Sequence, residues 1–286
     1  MTTAETLQAE ARERPRMTVV AGAAALLTLA GGLIGRVGVS PPKNLPAALL
    51  DYHQHPTAQY VSAGCSVIAA LLVLVVLDFL LRATRARNPE LPWQLRPLVW
   101  VGGLGVAALV LASQVTLAVD AAHFATHGSQ TYEEARKAID AGVPAVLGLL
   151  FQLLFAVAIV LISIQGMRVG LLPRWLGYVG AVSGVLFLLP LVPIPIVQAY
   201  WLGALALLFA GRLPNTGAPP AWQSGEAMPW PSAAEQREQR VRAAEARRGG
   251  GDDVVEGSVA EPDADAEPVA DGVGGQGARR KKRKRR

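Results

Sequence analysis

The sequence has few cysteines, charges and aromatic residues for its 286 residues, and the first two shortages each exclude a class of protein. Its single cysteine, Cys65, excludes an intramolecular disulfide framework and a cysteine-rich metal cluster. Charged residues make up 17% of the chain, against about a quarter in soluble globular proteins, and they crowd into the last third and the gaps between apolar runs. This distribution excludes a soluble enzyme, a disordered chain and a fibrous repeat.

Motifs of the common catalytic chemistries are also missing. The chain has no glycine loop followed by Lys-Ser/Thr, no Gly-x-Ser-x-Gly, no Cys-x-x-Cys and no His-Glu-x-x-His. Gly102-Gly-Leu-Gly105 opens an apolar run and is not followed by a dinucleotide-binding fold. The sequence therefore favours a protein that is not an enzyme, and a membrane-embedded enzyme acting on lipid-like substrates is the weakest of three functional hypotheses.

What the chain has in abundance is long apolar runs, since 51% of its residues are hydrophobic. A spanning helix needs about 20 mainly apolar residues, because each residue rises about 1.5 Å across roughly 30 Å of hydrocarbon. Six runs have about this length and lack the alternation of barrel strands: Met17–Gly35, Tyr60–Leu81, Leu98–Val119, Val143–Gln165, Leu176–Val192 and Ile194–Gly211. They predict an all-α membrane protein, a six-transmembrane helix bundle.

The last two runs are short, and only the proline-rich stretch Pro190–Pro195 lies between them. Its three prolines predict a tight turn at a membrane face, because proline lacks an amide donor and breaks a helix interior. Arg174 and Arg212 bracket the pair of runs, which favours a full hairpin. A re-entrant pair of half-helices is the alternative.

Basic residues alternate between the connections and predict the orientation. The N-terminal stretch, the second and fourth connections and the exit from the last run contain most of them: Arg12, Arg14, Arg16, Arg82, Arg85, Arg87, Arg96, Arg168, Arg174 and Arg212. Cytoplasmic connections are enriched in lysine and arginine. We therefore expect a multi-pass protein of the inner membrane with cytoplasmic N and C termini.

Small and polar residues inside the runs predict helix packing rather than a transport pathway. The pattern Gly180-x-x-x-Gly184 predicts a close helix contact within one bundle, with a homo-oligomer through the same face as the alternative. Asp78 precedes Arg82 by four residues, so the two can pair on one helix face. Gln114 and Gln152 lie deeper and can hydrogen-bond across helices.

All four histidines lie in the first and third outer segments, next to carboxylates. The segment Asp51–His55, if extended, would place its carboxylate and both imidazoles on one side. Asp120, His123 and His127 share a face if the third helix continues past Asp120. This spacing suits a divalent metal, and the alternative is that the histidines are ordinary interface residues. The predicted metal site comprises His53, His55, Asp120, His123 and His127, and no other cofactor is expected.

Two capping boxes predict short helices outside the spans. Thr131 with Glu134 indicates a surface helix in the third outer segment. Ser232 with Glu235 indicates a second helix over residues 233–248, which the three glycines at 249–251 end.

The chain divides into a cytoplasmic N-terminal segment, 1–16, a transmembrane domain, 17–212, and a cytoplasmic tail, 213–286. Residues 252–271 contain eight acidic residues and no basic one, and all of the last eight residues are basic. Such blocks cannot bury apolar surface to offset the entropy of ordering, so we expect a largely disordered tail.

The basic block is predicted to bind the anionic head groups of the lipid bilayer. It consists of Arg279, Arg280, Lys281, Lys282, Arg283, Lys284, Arg285 and Arg286. Nucleic acid is the alternative partner, because phosphate binding needs only clustered positive charge, and folding back onto the acidic block is a third interpretation. The leading functional hypothesis is a non-enzymatic scaffold or regulator acting through this tail. A metal-ion or small-solute carrier or sensor using the outer Asp and His residues is the alternative.

One segment carries a resemblance to a family. Gly170-Leu-Leu-Pro-Arg-Trp-Leu-Gly177, followed by Gly180 and Gly184, combines a proline stop, a basic residue, an interfacial tryptophan and a small packing face. Over roughly residues 166–185, and in its helix count and long outer segments, the chain resembles uncharacterised six-helix bacterial integral membrane proteins. The resemblance implies a six-helix bundle in a bacterial membrane and no particular activity.

Overall fold

Helices dominate the computed structural model. It describes residues 3–35, 44–127, 130–140, 145–189, 195–213, 219–228 and 230, and six positions in the following stretch: Glu235, Arg237, Glu238, Val241, Arg242 and Glu245. Of the described residues 86% are helical, and none of them lies in a strand. The predicted all-α fold class is confirmed.

Up to Trp230, each predicted apolar run falls on one helix, in the predicted order, and the described residues form further short helices besides these. They are α1 Thr3–Ile34, α2 Leu45–Gln54, α3 Pro56–Arg87, α4 Leu95–His127, α5 Tyr132–Asp140, α6 Ala145–Arg168, α7 Arg174–Leu188, α8 Ile196–Phe209 and α9 Pro220–Ser224. The six apolar runs fall on α1, α3, α4, α6, α7 and α8. The capping box at Thr131 correctly predicts α5, whereas the sequence analysis predicted neither α2 nor α9.

Four of these helices, α1, α3, α4 and α6, are long and apolar enough to cross a membrane. Helices α7 and α8 have only 15 and 14 residues, so each is about 21–22 Å long, short of a hydrocarbon core of roughly 30 Å. The predicted proline turn between them, residues 190–194, lies outside the described residues.

The long helices leave large apolar side chains uncovered. Val19 and Leu26 of α1 are 70% exposed, and Val146 of α6 is 81% exposed. Soluble proteins rarely expose extended apolar surface, whereas lipid is a suitable medium for it. The four long helices therefore indicate a membrane protein.

The six apolar helices form a ring in chain order. Contacts run from α1 to α3, α3 to α4, α4 to α6, α6 to α7 and α7 to α8, and α8 closes the ring against α1. Helix α3 also touches α6 across the interior. One hydrophobic core extends through the ring and includes Leu77, Phe155, Leu176 and Trp201.

Glycines allow these helices to cross with their backbones close together. A Cβ atom at Gly102 of α4 would lie 2.7 Å from the backbone nitrogen of Phe155, and one at Gly184 of α7 would lie 2.8 Å from the carbonyl oxygen of Ala156. The Gly180-x-x-x-Gly184 face thus packs against α6 of the same chain, in accordance with the bundle interpretation. A homo-oligomer through this face would have to open that contact.

The described chain divides into two compact units, and the predicted division into cytoplasmic and transmembrane parts stays a prediction. The first compact unit extends to Trp230, because residues 219–228 pack on the helix ends although the sequence analysis assigned them to the tail. Helix α1 begins at Thr3 and passes through Pro15, so the predicted N-terminal segment is helical from Thr3 and continuous with the first span.

The second compact unit comprises residues 231–286. Its six described positions are helical and exposed, and all fall within the helix predicted over 233–248. The acidic block at 252–271 and the basic block at 279–286 lie outside the described residues, so the predicted disorder of the tail stays a prediction.

We expect Gly184→Ala to destabilise the bundle by about 1–3 kcal/mol, the usual effect of overpacking, because the new methyl group meets backbone that cannot move aside. Gly203→Ala in α8 is the matched control, since a Cβ there meets nothing within 4 Å. The control should be neutral or slightly stabilising, because alanine favours a helix over glycine. Unfolding by SDS titration in mixed micelles measures both, and equal effects would contradict this account of the glycine contact.

Candidate functional site

One end of the bundle, here called the α2 end, carries α2 and α5 and brings the two outer segments together. The side chain of Asn44 caps α2 by accepting a hydrogen bond from the Ala47 amide at 3.0 Å. Pro46 suits the first turn because proline has no amide hydrogen that would need a partner. Helix α2 then packs on α4 and α5 through a small apolar cluster of Leu49, Tyr52, Ala121, Phe124 and Ala135.

The helical backbone of α2 changes which side chains of the first segment meet. The condition of extended backbone over Asp51–His55 is not met, because the Asn44 cap and Pro46 start a helix that continues to Gln54. Helical spacing brings Asp51 Oδ1 to 3.4 Å from His55 Nδ1, and His53 is exposed. This segment therefore places one imidazole beside its carboxylate instead of two.

In the other segment, α4 does continue past Asp120 and ends at His127. The exposed rings of His123 and His127 stack with centroids 5.4 Å apart and planes 19° apart. Helix α4 turns Ala121 and Phe124 toward the cluster with α2, so these imidazoles lie on its flank. Within the described part of the chain, no three His, Cys, Asp or Glu residues are grouped to hold a metal. The five-residue metal site stays a prediction.

Tyr52 links α2 to α4 by a hydrogen bond. Its hydroxyl donates to Gln114 Oε1 at 2.9 Å, so Gln114 does bond between helices. Burial, and to a smaller extent Tyr60, raises the pKa of Tyr52 above its ordinary value of 10.0. The phenol therefore keeps its proton, and this link stays intact, throughout the neutral pH range.

At the opposite end, here called the α9 end, Trp222 is the centre of an aromatic cluster. Its side chain is buried, stacks on Phe79 with centroids 5.8 Å apart and meets the ring of Phe209 edge-on at 6.3 Å. Its Nε1 donates to the carbonyl of Leu171 at 3.1 Å. Trp222 thus ties α9 to α3, to α8 and to the connection between α6 and α7.

Two guanidinium groups lie over the same indole. The Cζ atoms of Arg14 and Arg87 are 4.7 and 5.2 Å from the ring centroid of Trp222, within the range of cation–π attraction. The Arg87 side chain is 1% exposed and makes a two-point ion pair with Glu10 at 2.7 and 2.8 Å. Its Nε also donates to the Ala221 carbonyl at 2.9 Å. We call Glu10, Arg14, Phe79, Arg87, Phe209 and Trp222 the Trp222 cluster.

Asp78 in α3 is buried and accepts three charged or polar donors. Arg82 Nε lies 3.1 Å and Arg96 Nε 3.3 Å from its carboxylate, and Trp100 Nε1 donates to it at 3.1 Å. The predicted Asp78–Arg82 pair is confirmed. Since Arg96 and Trp100 belong to α4, this carboxylate joins α3 to α4.

Inside the ring lies a cavity of about 530 Å³, lined by residues of all six apolar helices. Its polar lining consists of hydroxyl and amide side chains, and within the described residues no charged side chain reaches it. Gln152 is one of these amides. It has no hydrogen-bond partner among the described residues, so the prediction that it bonds across helices is not met.

No protein-family model, curated protein or solved structure matches this chain. Its class is therefore defined by its own helices and sites: a helical membrane protein with a mainly apolar internal cavity that contains a few polar groups, and a cationic–aromatic cluster at one end. The resemblance to a six-helix family stays a prediction.

Sequence reasoning missed the Trp222 cluster and the cavity. Pro219-Pro220 is a helix-start signal that could have predicted α9. The contact of Trp222 with Phe79 joins distant parts of the chain, and no local pattern indicates it.

A divalent metal bound at the outer histidines should depend on His123 and His127, because among the described residues these two imidazoles lie side by side. Zn²⁺, Cu²⁺ and Ni²⁺ titrations of the full chain at neutral pH compare His123→Ala/His127→Ala with the matched pair His53→Ala/His55→Ala. We expect the first variant to lose metal affinity by at least about tenfold, because removing even a residue that only hydrogen-bonds to a metal ligand usually costs that much. The second variant should bind the metal like wild type. Equal losses would indicate a site that joins both segments.

Trp222→Ala should destabilise the protein by about 3–5 kcal/mol, the usual loss for a buried tryptophan, because it leaves two guanidinium groups without their ring. Trp93→Ala is the control, since Trp93 is 70% exposed and should matter by less than about 0.5 kcal/mol. SDS-titrated unfolding gives both values. Similar losses at the two positions would refute the anchoring role of Trp222.

Proposed function

We propose that the protein is a non-enzymatic scaffold or regulator of the bacterial inner membrane that presents its charged tail at the cytoplasmic surface. The observation that supports this most directly is the Trp222 cluster, which fastens the chain that leaves the bundle to α1 and α3. A tail attached in this way begins at a fixed point on the membrane face instead of at a loose helix end.

The proposed orientation rests on the charges at the two ends. The α9 end carries the described arginines of the N-terminal stretch and of the second and fourth connections, among them Arg14, Arg87, Arg96 and Arg174. The α2 end has Arg136 and Lys137 beside acidic residues. By the positive-inside rule the α9 end faces the cytoplasm, and both termini leave from it.

The proposed six spans require α7 and α8 to cross as a hairpin. Both helices reach the α9 end. There Arg174, the first residue of α7, donates to the Trp230 carbonyl at 3.2 Å, and the ring centroids of Phe209, the last residue of α8, and Phe79 are 5.5 Å apart. Toward the other side, Pro195 lines the same cavity as Gly35 at the end of α1. This supports a full crossing over a re-entrant pair, and local thinning of the bilayer accommodates short helices at modest cost.

The tail would act through its eight terminal basic residues. Each is worth about 1 kcal/mol at an anionic membrane surface, so together they suffice for strong but salt-sensitive adhesion. The preceding acidic block competes for the same charges and would limit adhesion, which is a regulatory arrangement. RNA or DNA is the alternative partner for the same charges.

We expect full-length protein in zwitterionic nanodiscs to capture vesicles that contain phosphatidylglycerol, and to release them when salt rises from about 0.1 to 1 M. Changing all eight basic residues at 279–286 to glutamine should abolish capture. The matched control changes the eight acidic residues of 252–271 to their amides and should strengthen it. Cosedimentation measures all three proteins.

Unchanged capture after loss of the basic block would refute the lipid-binding role, and preferential binding of RNA over these vesicles would favour the alternative. Trypsin treatment of sealed inside-out and right-side-out membrane vesicles checks the sidedness. The tail should be cleaved only in the inside-out preparation.

A further inference from the structure

The cavity inside the ring has the size and lining of a small-molecule site. Its volume of about 530 Å³ falls within the roughly 300–1,000 Å³ of known ligand pockets. Aromatic and aliphatic side chains form most of its wall, among them Phe155, Phe187 and Trp201. A few polar groups are set among them, as in sites that orient a ligand.

Some of these polar groups are already bonded to the protein. Ser62 Oγ donates to the Gly31 carbonyl at 2.7 Å, and Ser66 Oγ donates to the Ser62 carbonyl at 2.9 Å. The Gln59 amide donates to the Gly35 carbonyl at 3.3 Å. The Ser62 and Gln59 bonds hold α3 against the end of α1, whereas the Ser66 bond lies within α3. All three leave these groups little capacity for a ligand.

Two amides on the other side of the cavity differ. The side chains of Gln152 on α6 and Gln198 on α8 line the cavity and have no hydrogen-bond partner among the described residues. An amide in an apolar interior costs free energy unless it is paired. Trp201, which also lines the cavity, is 2% exposed, and its Nε1 has no partner either. The two amides are thus unused hydrogen-bonding capacity in the cavity wall, whereas Trp201 Nε1 points toward Gly180 and Ser163.

The amides of the lining lie toward the α2 end of the bundle. Gln198 lies in the first turn of α8 and Gln152 in the second turn of α6, both near the α2 end. Val73 and Ile159 lie further along α3 and α6, toward the α9 end, and contribute only aliphatic surface. A ligand would therefore place its polar group toward the α2 end and its apolar body toward the bundle centre.

The absence of charged side chains from the described lining selects against ions. A carboxylate or ammonium group moved from water into such a site has no opposite charge to pair with, and its desolvation is expensive. A neutral hydroxyl, amide or carbonyl group can instead bond to the free amides.

We propose that this cavity binds an uncharged amphiphile with an apolar chain and a hydroxyl-bearing head that hydrogen-bonds to Gln152 and Gln198. A lipid such as a monoacylglycerol has this chemistry, and so does a water-soluble alkyl diol. This site is independent of the tail, so its test and the test of the proposed function can fail separately.

The probe is a monoacylglycerol with a photoreactive diazirine in its chain, added to full-length protein in zwitterionic nanodiscs. Crosslinked peptides are identified by mass spectrometry and should come from cavity-lining helices. Gln152→Leu and Gln198→Leu keep the side-chain size and remove the amide. Each should weaken labelling by about fivefold to tenfold, which corresponds to the loss of one hydrogen bond to the probe. Gln223→Leu is the matched control, because Gln223 is exposed on α9, and it should label like wild type.

A second variant tests the cavity by volume. Ala70→Phe places a ring into the lining and should abolish labelling whatever the polar contacts are. SDS-titrated unfolding serves as the folding check for every variant, and a variant that unfolds like wild type keeps the labelling result interpretable. If Ala70→Phe still labels the same peptides, the cavity is not the site and the proposal is overturned.

Competition identifies the chemistry and the source. Unlabelled monoacylglycerol should compete, whereas the fatty acid and alkylamine of the same chain length should be at least about tenfold weaker, because they would bury an unpaired charge. Equal competition by the charged analogues would overturn the proposal. Competition by alkyl diol added from solution, with none by bilayer lipid, would assign a soluble ligand of the same chemistry, and the reverse would assign a lipid.

Discussion

Hydrocarbon offers no partners to backbone amides and carbonyls, and the architecture of this chain depends on that constraint. Helices α1, α3, α4 and α6 satisfy their backbone groups internally, which is why they can leave side chains such as Leu26 and Val146 uncovered. Lipid then supplies no hydrophobic force between helices, so close packing must hold them together. Gly102 and Gly184 provide it by letting backbones approach where a methyl group would collide. The ring of six helices follows from these two requirements.

The polar interactions are concentrated at the ends, and the two ends are built differently. At the α9 end Arg87 is buried, and it is paired with Glu10 and covered by Trp222, so α1, α3 and α9 are held by charge as well as by packing. At the α2 end a small apolar cluster and the Tyr52–Gln114 hydrogen bond do the joining. A fixed α9 end suits a face that presents a tail.

Between these ends the ring is not filled. On α3, Ser66 Oγ bonds back to a carbonyl of its own helix, as is usual for hydroxyls in helices, and Ser62 Oγ bonds to the Gly31 carbonyl of α1, so neither needs a ligand. The amides of Gln152 and Gln198 have no such partner among the described residues and line the cavity. The space and the free amides together support the proposed binding site. The site and the tail lie in different parts of the molecule, and each can act without the other.

The sequence by itself determined the features that depend on neighbours along the chain. Run length and hydropathy predict the helices, a capping box predicts α5, and four-residue spacing predicts the Asp78–Arg82 pair. For the short, proline-flanked helices α7 and α8, run length alone did not decide between a full hairpin and a re-entrant pair. Only the tertiary structure decided that Trp222 is buried against Phe79, that Tyr52 bonds to Gln114, and that Gln152 faces a cavity. Each of these depends on contacts between helices far apart in the chain, and such contacts follow from three-dimensional packing that no local pattern encodes.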